Sequence, residues 1–298
     1  MVEPADTRCG IVALAGRPNV GKSTLTNALC GGHVSIVSDK PQTTRRRVSG
    51  IANGPGWQLV LLDLPGFQRP RDGLTGRMQS TVDESLGDVD ATLFVLDATV
   101  PPGAGDRFIA ERVFGRGTPV LIALNKVDRL SPVRIGRAIE AASALGDFHA
   151  LHPVSAATGD GVAALRDDLV ALLPEGPPLY PTDTDSGDPL RLRITELVRE
   201  QALERTRDEI PHAVAVVIDE LERGSRRRAT RIEASLIVET ESQKGILVGK
   251  GGSMIGAIGA GARPEIERLV GGRVMLDLRV RVRRGWRDDD ALLDRLGP

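Results

Sequence analysis

Eight residues near the amino terminus have the types and spacing of a phosphate-binding loop. The run GRPNVGKS follows an apolar stretch and fits the pattern G-x-x-x-x-G-K-[S/T]. In such a loop, backbone N–H groups surround the phosphates, a lysine reaches the β and γ phosphates, and the next hydroxyl binds Mg²⁺. Here Lys22 and Ser23 take those two roles. We predict phosphate binding by Gly16, Arg17, Pro18, Asn19, Val20, Gly21, Lys22, Ser23 and Thr24.

A second motif, DLPG, supplies a carboxylate for the metal. Asp63 follows an apolar run at 59–62, and Gly66 is small enough to approach the γ-phosphate. Between the two motifs lies a polar segment with Thr43 and Thr44. A threonine that ligates Mg²⁺ only when the γ-phosphate is present suits a switch segment. The predicted Mg²⁺ site is therefore Ser23, Asp63 and one of Thr43 and Thr44, and Gly66 joins the phosphate site.

The run NKVD at 125–128 selects the base. The carboxylate of Asp128 matches the two adjacent donors on guanine, and adenine lacks this donor pair, so adenine nucleotides leave the carboxylate unpaired. A backbone N–H after a later strand would reach the guanine carbonyl. The predicted guanine site consists of Asn125, Lys126, Asp128, Ser155 and Ala156. Together the motifs indicate a Mg²⁺-dependent domain that binds GTP and GDP.

The residue that orients the attacking water is missing from its usual place. Many GTPases carry a glutamine directly after DxxG, whereas Phe67 stands there in this sequence and Gln68 follows. Either Gln68 is displaced into the role, or hydrolysis rests on electrostatics and positioning and is slow. Asn19 is a candidate K⁺ ligand that would add positive charge beside the phosphates. The alternative is that Asn19 only tolerates an unusual backbone angle.

These motifs require strands that end beside one another. Short apolar runs alternate with longer amphipathic stretches over residues 9–180, which is typical of strand and helix units on a mostly parallel sheet. We predict an α/β P-loop GTPase domain with a mostly parallel six-stranded sheet flanked by helices. The predicted strands are Gly10–Ala15, His33–Val37, Trp57–Leu62, Ala91–Leu96, Pro119–Leu124 and Ala150–Val154. The domain spans 1–175, and a Pro-rich linker follows at 176–189.

Residues 190–298 predict a smaller α+β domain of KH type. The expected order is a helix, two strands, a Gly-rich turn, a helix and a last strand, with a strand-like run at 245–248 before the turn. A G-x-x-G turn lets a nucleic-acid backbone approach closely. The predicted RNA-binding residues are Gly249, Lys250, Gly251, Gly252, Arg226, Arg227, Arg228, Arg263 and Arg279. For Arg279, Arg281 and Arg283, which share one strand face, a solvated sheet face is an equal alternative.

The composition is typical of a soluble globular protein. The chain has 298 residues, of which 27% are charged and 41% hydrophobic, and its net charge is −1. Net charge therefore predicts binding to neither nucleic acid nor membranes, and any basic surface must be local. Two cysteines give no disulfide framework, and no apolar run approaches the roughly 18 residues needed to span a bilayer. With no secretory signal at the start, we expect a cytoplasmic protein.

The sequence resembles the bacterial Era family of GTPases over essentially its whole length. The resemblance rests on GRPNVGKSTLTNAL (16–29), KPQTTRRR (40–47), DLPGF (63–67), NKVD (125–128), SA (155–156), EIPHAVAVVIDE (209–220), SQKGILVGKGG (242–252) and the run 261–287. It implies a KH domain of the prokaryotic arrangement that binds single-stranded RNA at the 3′ end of small-subunit ribosomal RNA. It also implies a role in maturation of the small ribosomal subunit, with GTP favouring RNA binding and RNA stimulating hydrolysis.

Three positions depart from the family pattern. Leu64 stands where threonine is usual, Phe67 replaces a smaller aliphatic residue, and Arg279 replaces an aromatic residue in the last strand. None of them removes a ligand. Arg279 exchanges a stacking contact for a candidate phosphate contact.

The leading hypothesis is a molecular switch in which the linker transmits the nucleotide state to the KH domain. One alternative is a GTP-binding RNA adaptor with negligible hydrolysis, and another is a membrane-surface GTPase that uses the C-terminal arginines. The expected partners are small-subunit ribosomal RNA and the small ribosomal subunit, with a peripheral contact to the inner face of the cell membrane as a further candidate. We expect no DNA binding and a monomeric, ribosome-associated protein in the cytoplasm.

Overall fold

Near-continuous apolar runs in the first half of the chain form the strands of a buried sheet. A computed structural model describes residues 7–40, 42–207, 210–225 and 228–297. The chain divides into two units, the first made of residues up to 35, 44–70 and 75–187, the second of residues 36–43, 71–74 and 188–298. Two short segments of the N-terminal half thus belong to the second unit.

The first unit is an α/β domain. Its elements, in chain order, are β1 (Arg8–Ala15), α1 (Lys22–Cys30), β2 (Val48–Gly54), β3 (Trp57–Asp63), α2 (Gly73–Ser85, whose first two residues belong to the second unit), β4 (Ala91–Asp97), α3 (Ala104–Phe114), β5 (Val120–Asn125), α4 (Pro132–Ser143), β6 (Ala150–Pro153) and α5 (Val162–Leu172). The strand order is β2-β3-β1-β4-β5-β6, and every neighbouring pair is parallel except β2 and β3. The predicted mostly parallel six-stranded sheet is confirmed.

Burial on both faces explains the apolar strands. Consecutive strand residues point to opposite faces, so Val12 and Leu61 pack in one core while Ala13 and Val60 pack in the other. Helices cover both faces of a parallel sheet, and its strands therefore read as continuous rather than alternating apolar runs. Because β1, β3, β4 and β5 run parallel, the carboxyl ends of β1, β3 and β5 bring the three nucleotide motifs to one edge of the sheet.

The predicted strand at 33–37 is wrong. This segment is irregular because the Asn27 side chain takes its backbone groups, accepting from Val34 N (2.9 Å) and Ser35 N (2.8 Å) and donating to Ser35 O (2.7 Å). The second strand is Val48–Gly54, which forms a hairpin with β3 across the two residues at 55–56. Its small residues, Ser, Gly and Ala, hide the strand pattern from a search for bulky apolar runs.

The Pro-rich segment at 176–187 lies with the first unit instead of extending from it. Asp185 O accepts from Ile51 N (3.0 Å), and Gly187 N donates to Ser49 O (3.0 Å). The Gln58 side chain binds both backbone groups of Tyr180 at 2.9 Å. β2 is an edge strand with an open row of backbone groups, and this segment covers it.

The second unit contains α6 (Leu190–Arg205), α7 (Ile210–Ala213), β7 (Ala215–Glu222), β8 (Thr230–Val238), α8 (Glu241–Val248), α9 (Ser253–Val270), β9 (Val274–Val282) and α10 (Asp290–Leu296). β8 is central, antiparallel to β7 and parallel to β9. α6 and α9 pack against each other and against this sheet. Its core includes Ile194, Leu236 and Ile258, all fully buried.

The predicted strand-like run at 245–248 is wrong, because it is the end of helix α8. The helix begins with a capping box, in which Thr240 Oγ1 accepts from Gln243 N (3.3 Å) and the Gln243 side chain returns to Thr240 N (3.2 Å). The second unit thus has a helix on each side of the Gly-rich turn. Across the part of the chain that the structure describes, no helix has both the length and the hydropathy to cross a membrane.

The core of the second unit yields the first prediction. Leu236→Ala should lower the free energy of unfolding of this unit by about 2–5 kcal/mol, because it leaves a cavity at a fully buried site. Met275→Ala, at a side chain that is 65% exposed, should change it by less than about 0.5 kcal/mol. Urea unfolding followed by fluorescence of Trp286, which is fully buried, measures both in a Trp57→Phe background. Equal effects of the two substitutions would contradict the assignment of this core.

Candidate nucleotide and RNA sites

The phosphate loop connects the end of β1 to the start of α1. Lys22 is buried, and its Nζ donates to Gly16 O (3.2 Å) and Arg17 O (3.1 Å) across the loop. Burial lowers the pKa of Lys22 to about 8, while the charge of Asp63 opposes this shift. A phosphate beside Lys22 would favour the charged ammonium, because an opposite charge offsets the desolvation.

Asp63 is the last residue of β3 and is fully buried. Burial raises the pKa of its carboxyl group, and the charge of Lys22 and the hydroxyls of Ser23, Ser35 and Thr44 oppose the rise. Ser35 Oγ donates to Asp63 Oδ2 at 2.5 Å, whereas Oδ1 has no direct hydrogen-bond partner within the described residues. A buried carboxylate oxygen with unused acceptor capacity suits a cation.

The two candidate threonines differ in their contacts. Thr44 Oγ1 lies 3.0 Å from Ser23 Oγ, whereas Thr43 Oγ1 donates to Lys40 O at 2.6 Å. The structure thus brings Thr44, and not Thr43, to the Ser23 and Asp63 oxygens. This set of hard oxygen donors fits Mg²⁺. In the described ranges no group of three or more His, Cys, Asp or Glu could hold a metal ion.

The DLPG motif approaches the phosphate loop through Gly66. A Cβ at Gly66 would lie within 2.7–2.9 Å of Pro18 atoms, so only glycine fits there. Phe67 is buried in the core, and its N–H donates to Gly16 O at 3.4 Å. The side-chain Nε2 of Gln68 lies 3.5 Å from Met78 Sδ on α2. The Phe67 ring therefore packs in the core of the first unit, and the Gln68 side chain contacts α2.

Asn125 connects the base side of the site to the phosphate loop. Its Nδ2 donates to Val20 O (2.8 Å), and its Oδ1 accepts from Ala156 N (2.9 Å). Ala156, one of the predicted guanine-binding residues, thus donates its backbone N–H to Asn125 here. Ser155 is fully buried beside it, and Asp128 lies exposed in the turn after β5. Asn125 and Ala156 thus lie together at the edge of the sheet where the phosphate loop begins.

Lys126 is held at the same edge by two oxygens. Its Nζ donates to Asn19 O (2.7 Å) and to Asp97 Oδ2 (2.6 Å). Although burial pushes the pKa of Asp97 up, hydrogen bonds from Lys126 and Thr99 bring it below its ordinary value. Asn19 adopts a left-handed backbone angle, with φ 64°. That angle supports the alternative in which Asn19 serves the backbone conformation.

Three supporting residues are missing from the sequence prediction: Asn27, Ser35 and Asp97. Asn27 fixes the backbone of Ser35, Ser35 binds Asp63, and Asp97 binds Lys126. Asn27 lies inside the GRPNVGKSTLTNAL run, which is the one signal for it. Ser35 and Asp97 have no sequence signal because their partners are distant in the chain.

The Gly-rich turn of the second unit lies between α8 and α9. Gly251 and Gly252 have φ angles of 61° and 81°, which glycine adopts readily. Lys250 is exposed at the tip, and Ile246, 48% exposed, lies on the last turn of α8. An exposed apolar side chain beside a Gly-Lys turn offers both base and phosphate contacts.

The predicted basic residues are not equivalent. Arg263 is exposed on α9, and Arg228 pairs with Glu222 at 3.2 Å. Arg279 binds both Glu233 (3.3 Å) and Asp277 (3.0 Å). Arg226 and Arg227 lie outside the described residues. Arg279 thus meets carboxylates on an exposed sheet face, the arrangement expected of a solvated face.

Comparisons with known proteins agree with this division of the chain. The sequence profile of a family described as 50S ribosome-binding GTPase matches residues 11–126, and that of the KH domain matches residues 209–287. The GTPase Era of Heliobacterium modesticaldum is 42% identical over 290 residues, which cover 97% of both chains. The GTPase Era of Mycobacterium avium is 43% identical over 294 residues, or 97% of this chain and 98% of the relative.

Solved structures match over the same length. An Aquifex aeolicus Era variant bound to GDP and AlF₄⁻ matches with a TM-score of 0.93 and 36% identity, covering 98% of this chain and 99% of that chain. Era in complex with MgGDPNP and nucleotides 1506–1542 of 16S ribosomal RNA matches with a TM-score of 0.92, 36% identity and the same coverage. The chain therefore belongs to the Era family and is a GTP hydrolase with a KH domain in its C-terminal half.

Proposed function

We propose that GTP hydrolysis by this chain controls its binding to the 3′ end of small-subunit ribosomal RNA during maturation of the small ribosomal subunit. The observation that carries this proposal is the presence, in one chain, of a nucleotide site and a Gly-Lys-Gly-Gly turn on a KH domain. Relatives with the same two parts align over 97% of the chain. One solved relative is described in complex with 16S ribosomal RNA.

In this mechanism the phosphate loop and Lys22 bind the β and γ phosphates. The loop amides and the start of α1 provide the anion site, and Lys22 exchanges its two loop carbonyls for phosphate oxygens. Ser23, Thr44 and Asp63 would hold Mg²⁺, which when bound neutralises charge on the β and γ phosphates. Thr44 then depends on the γ-phosphate, and its loop reports the nucleotide state.

The base is bound by Asp128, Lys126 and the 155–156 segment. Asn125 keeps this segment in register with the phosphate loop through Val20 and Ala156. Asp97 and Asn19 hold the Lys126 side chain along the cleft. Positioning and electrostatics carry the hydrolysis step, since Phe67 is buried and has no group to orient water. A slow rate without RNA is the expected consequence.

RNA binds at the turn 249–252 in this proposal. The exposed Lys250 and the start of α9 take the phosphates, and Ile246 contacts a base. Arg228 and Arg263 add positive charge. A membrane-surface role is less well supported, because Arg279, Arg281 and Arg283 each pair with a carboxylate. We therefore propose a monomeric, ribosome-associated protein of the cytoplasm.

The metal assignment predicts a difference between two adjacent threonines. Thr44→Ala should weaken Mg²⁺-dependent binding of a non-hydrolysable GTP analogue about tenfold, since it removes an oxygen ligand. Thr43→Ala should change it less than about twofold, because that hydroxyl bonds to Lys40 O. Titration of Mg²⁺ at fixed analogue, with EDTA as reference, measures both. A larger loss in Thr43→Ala than in Thr44→Ala would overturn the assignment.

The candidate K⁺ site stays a prediction that hydrolysis rates in K⁺ and Na⁺ test. If the Asn19 side chain holds K⁺ beside the phosphates, the parent protein should hydrolyse GTP faster in K⁺, and Asn19→Ala should remove the difference. Asn19→Gly keeps the positive φ accessible and separates backbone strain from lost ligation. Equal parent rates in the two salts would end the K⁺ assignment.

If RNA binding and GTP hydrolysis are coupled, RNA should accelerate hydrolysis. An oligonucleotide copying the 3′ end of small-subunit ribosomal RNA should raise the GTP turnover of the parent at least about fivefold. Gly251→Asp should abolish this effect by placing a negative charge in the phosphate-binding turn. Phosphate release under multiple turnover measures the rate, and fluorescence anisotropy of the labelled oligonucleotide measures binding.

Gly271→Asp is the matched control for that experiment. It adds the same charge just after the opposite end of α9, at a glycine with a similar left-handed φ (68° against 61°) where a Cβ also meets open space. Stimulation should survive in this variant. RNA binding without any change in the parent rate would instead describe a GTP-binding RNA adaptor.

A further inference from the structure

Two segments next to the nucleotide motifs belong to the second unit. Residues 36–43 lead directly to Thr44, and residues 71–74 follow the DLPG motif. Each segment continues by a peptide bond into a part of the first unit that carries the metal candidates. The first of these segments ends one residue before Thr44.

Helix α6 holds the first segment with two buried charges. The guanidinium of Arg199, 2% exposed, donates to Thr43 O, the carbonyl directly before Thr44. The carboxylate of Glu200, 6% exposed, accepts from Val37 N at 2.9 Å. The two contacts fix both ends of residues 37–43. We call this segment and its two contacts the α6 clamp.

The burial of these two side chains marks them as unusual on their helix. Other charged residues of α6, such as Glu204 and Arg193, are less buried. A buried charge is costly unless it is paired and hydrogen-bonded. Arg199 pairs with Glu196 at 2.5 Å, yet its Nη1 has no hydrogen-bond partner within the described residues. Arg199 thus donates twice to the Glu196 carboxylate and once to the loop carbonyl, and displacing the loop would leave a buried N–H without its acceptor.

The second segment is held by the turn after β9. Arg287 Nε donates to Asp72 Oδ2 at 2.5 Å, and its Nη1 donates to His212 O at 2.7 Å. Asp288 Oδ1 accepts from Gly73 N at 2.6 Å. Arg287 Nη2 also reaches Gln42 Oε1 at 3.5 Å, so one arginine contacts both segments. The two segments are thus held together within the second unit.

We propose that Arg199 and Glu200 are positioning residues for GTP hydrolysis: the α6 clamp holds residues 37–43 so that Thr44 reaches Ser23 and Asp63. This inference rests on the proposed function and replaces the linker as the route of coupling. We call the clamp closed when Arg199 and Glu200 both hold residues 37–43. The second unit favours the nucleotide state in which the clamp is closed. By thermodynamic reciprocity, that nucleotide state favours the form of the second unit that binds RNA. RNA then stimulates hydrolysis by stabilising the closed clamp.

The test compares the full-length parent with Glu200→Gln and Arg199→Met. Glu200→Gln keeps the shape and an acceptor oxygen but removes the charge, whereas Arg199→Met removes the donors at similar length. Glu204→Gln is the matched control, since Glu204 lies one turn further along α6 and pairs with Arg205 at 3.2 Å. Trp286 fluorescence and GDP affinity establish that each variant is folded.

The expected result is a loss of coupling with intact binding. RNA stimulation of GTP turnover should fall from at least about fivefold in the parent to less than about twofold in Arg199→Met, with a smaller loss in Glu200→Gln, while affinities for GDP and for the RNA oligonucleotide stay within about twofold. Glu204→Gln should behave like the parent. Full stimulation in both clamp variants would overturn the proposal.

A second readout does not depend on RNA. Trypsin cleavage after Arg45, Arg46 or Arg47, measured with a non-hydrolysable GTP analogue and Mg²⁺, reports opening of the loop that contains Thr44. Cleavage should be about tenfold faster in Arg199→Met than in the parent and Glu204→Gln. If the parent shows no RNA stimulation, the proposed function fails, and cleavage still decides the clamp. Equal cleavage in all variants would refute it.

Discussion

The nucleotide site depends on two buried opposite charges, Lys22 and Asp63. Each is removed from water, which lowers the pKa of Lys22 and raises that of Asp63. Each charge opposes the shift of the other, and loop carbonyls and Ser35 Oγ supply part of the lost solvation. Phosphate oxygens for Lys22 and a cation for Asp63 would complete it. Lys22 at the start of α1 and Asp63 at the end of β3 therefore both favour binding of these ligands.

Further side chains around the site hold its ligand-binding residues in place. Asn27 uses its side chain to fix Ser35, and Ser35 in turn orients Asp63. Asn125 joins the phosphate loop to the 155–156 segment, and Asp97 fixes Lys126. Such contacts orient ligands that would otherwise sample other rotamers. The proposed α6 clamp extends the same principle to Thr44, since a carbonyl one residue away is held by a buried arginine.

The proposed RNA site follows a different principle. In that proposal, close approach to a phosphate backbone rests on the small residues of the turn 249–252 and on Lys250, not on a strongly basic surface. The net charge of the chain is −1, and the arginines of β9 are matched by carboxylates. Local geometry at a helix start therefore supplies what the overall charge does not. A site of this kind is sensitive to a single added charge and insensitive to charges far from the turn.

The sequence alone determined the parts whose chemistry is local. The phosphate loop, DLPG, NKVD and the Gly-Lys-Gly-Gly turn combine residue types and spacing that few other roles require, and the apolar runs around them predicted the parallel sheet. The tertiary structure alone decided that 33–37 is irregular while 48–54 is a strand, that 245–248 is helical, and that Thr44 and not Thr43 approaches Ser23. It also revealed Ser35, Asp97, Arg199 and Glu200 as supports. The reason is physical: these outcomes depend on partners distant in the chain, and a hydrogen bond between distant residues leaves no periodicity in the sequence around either of them.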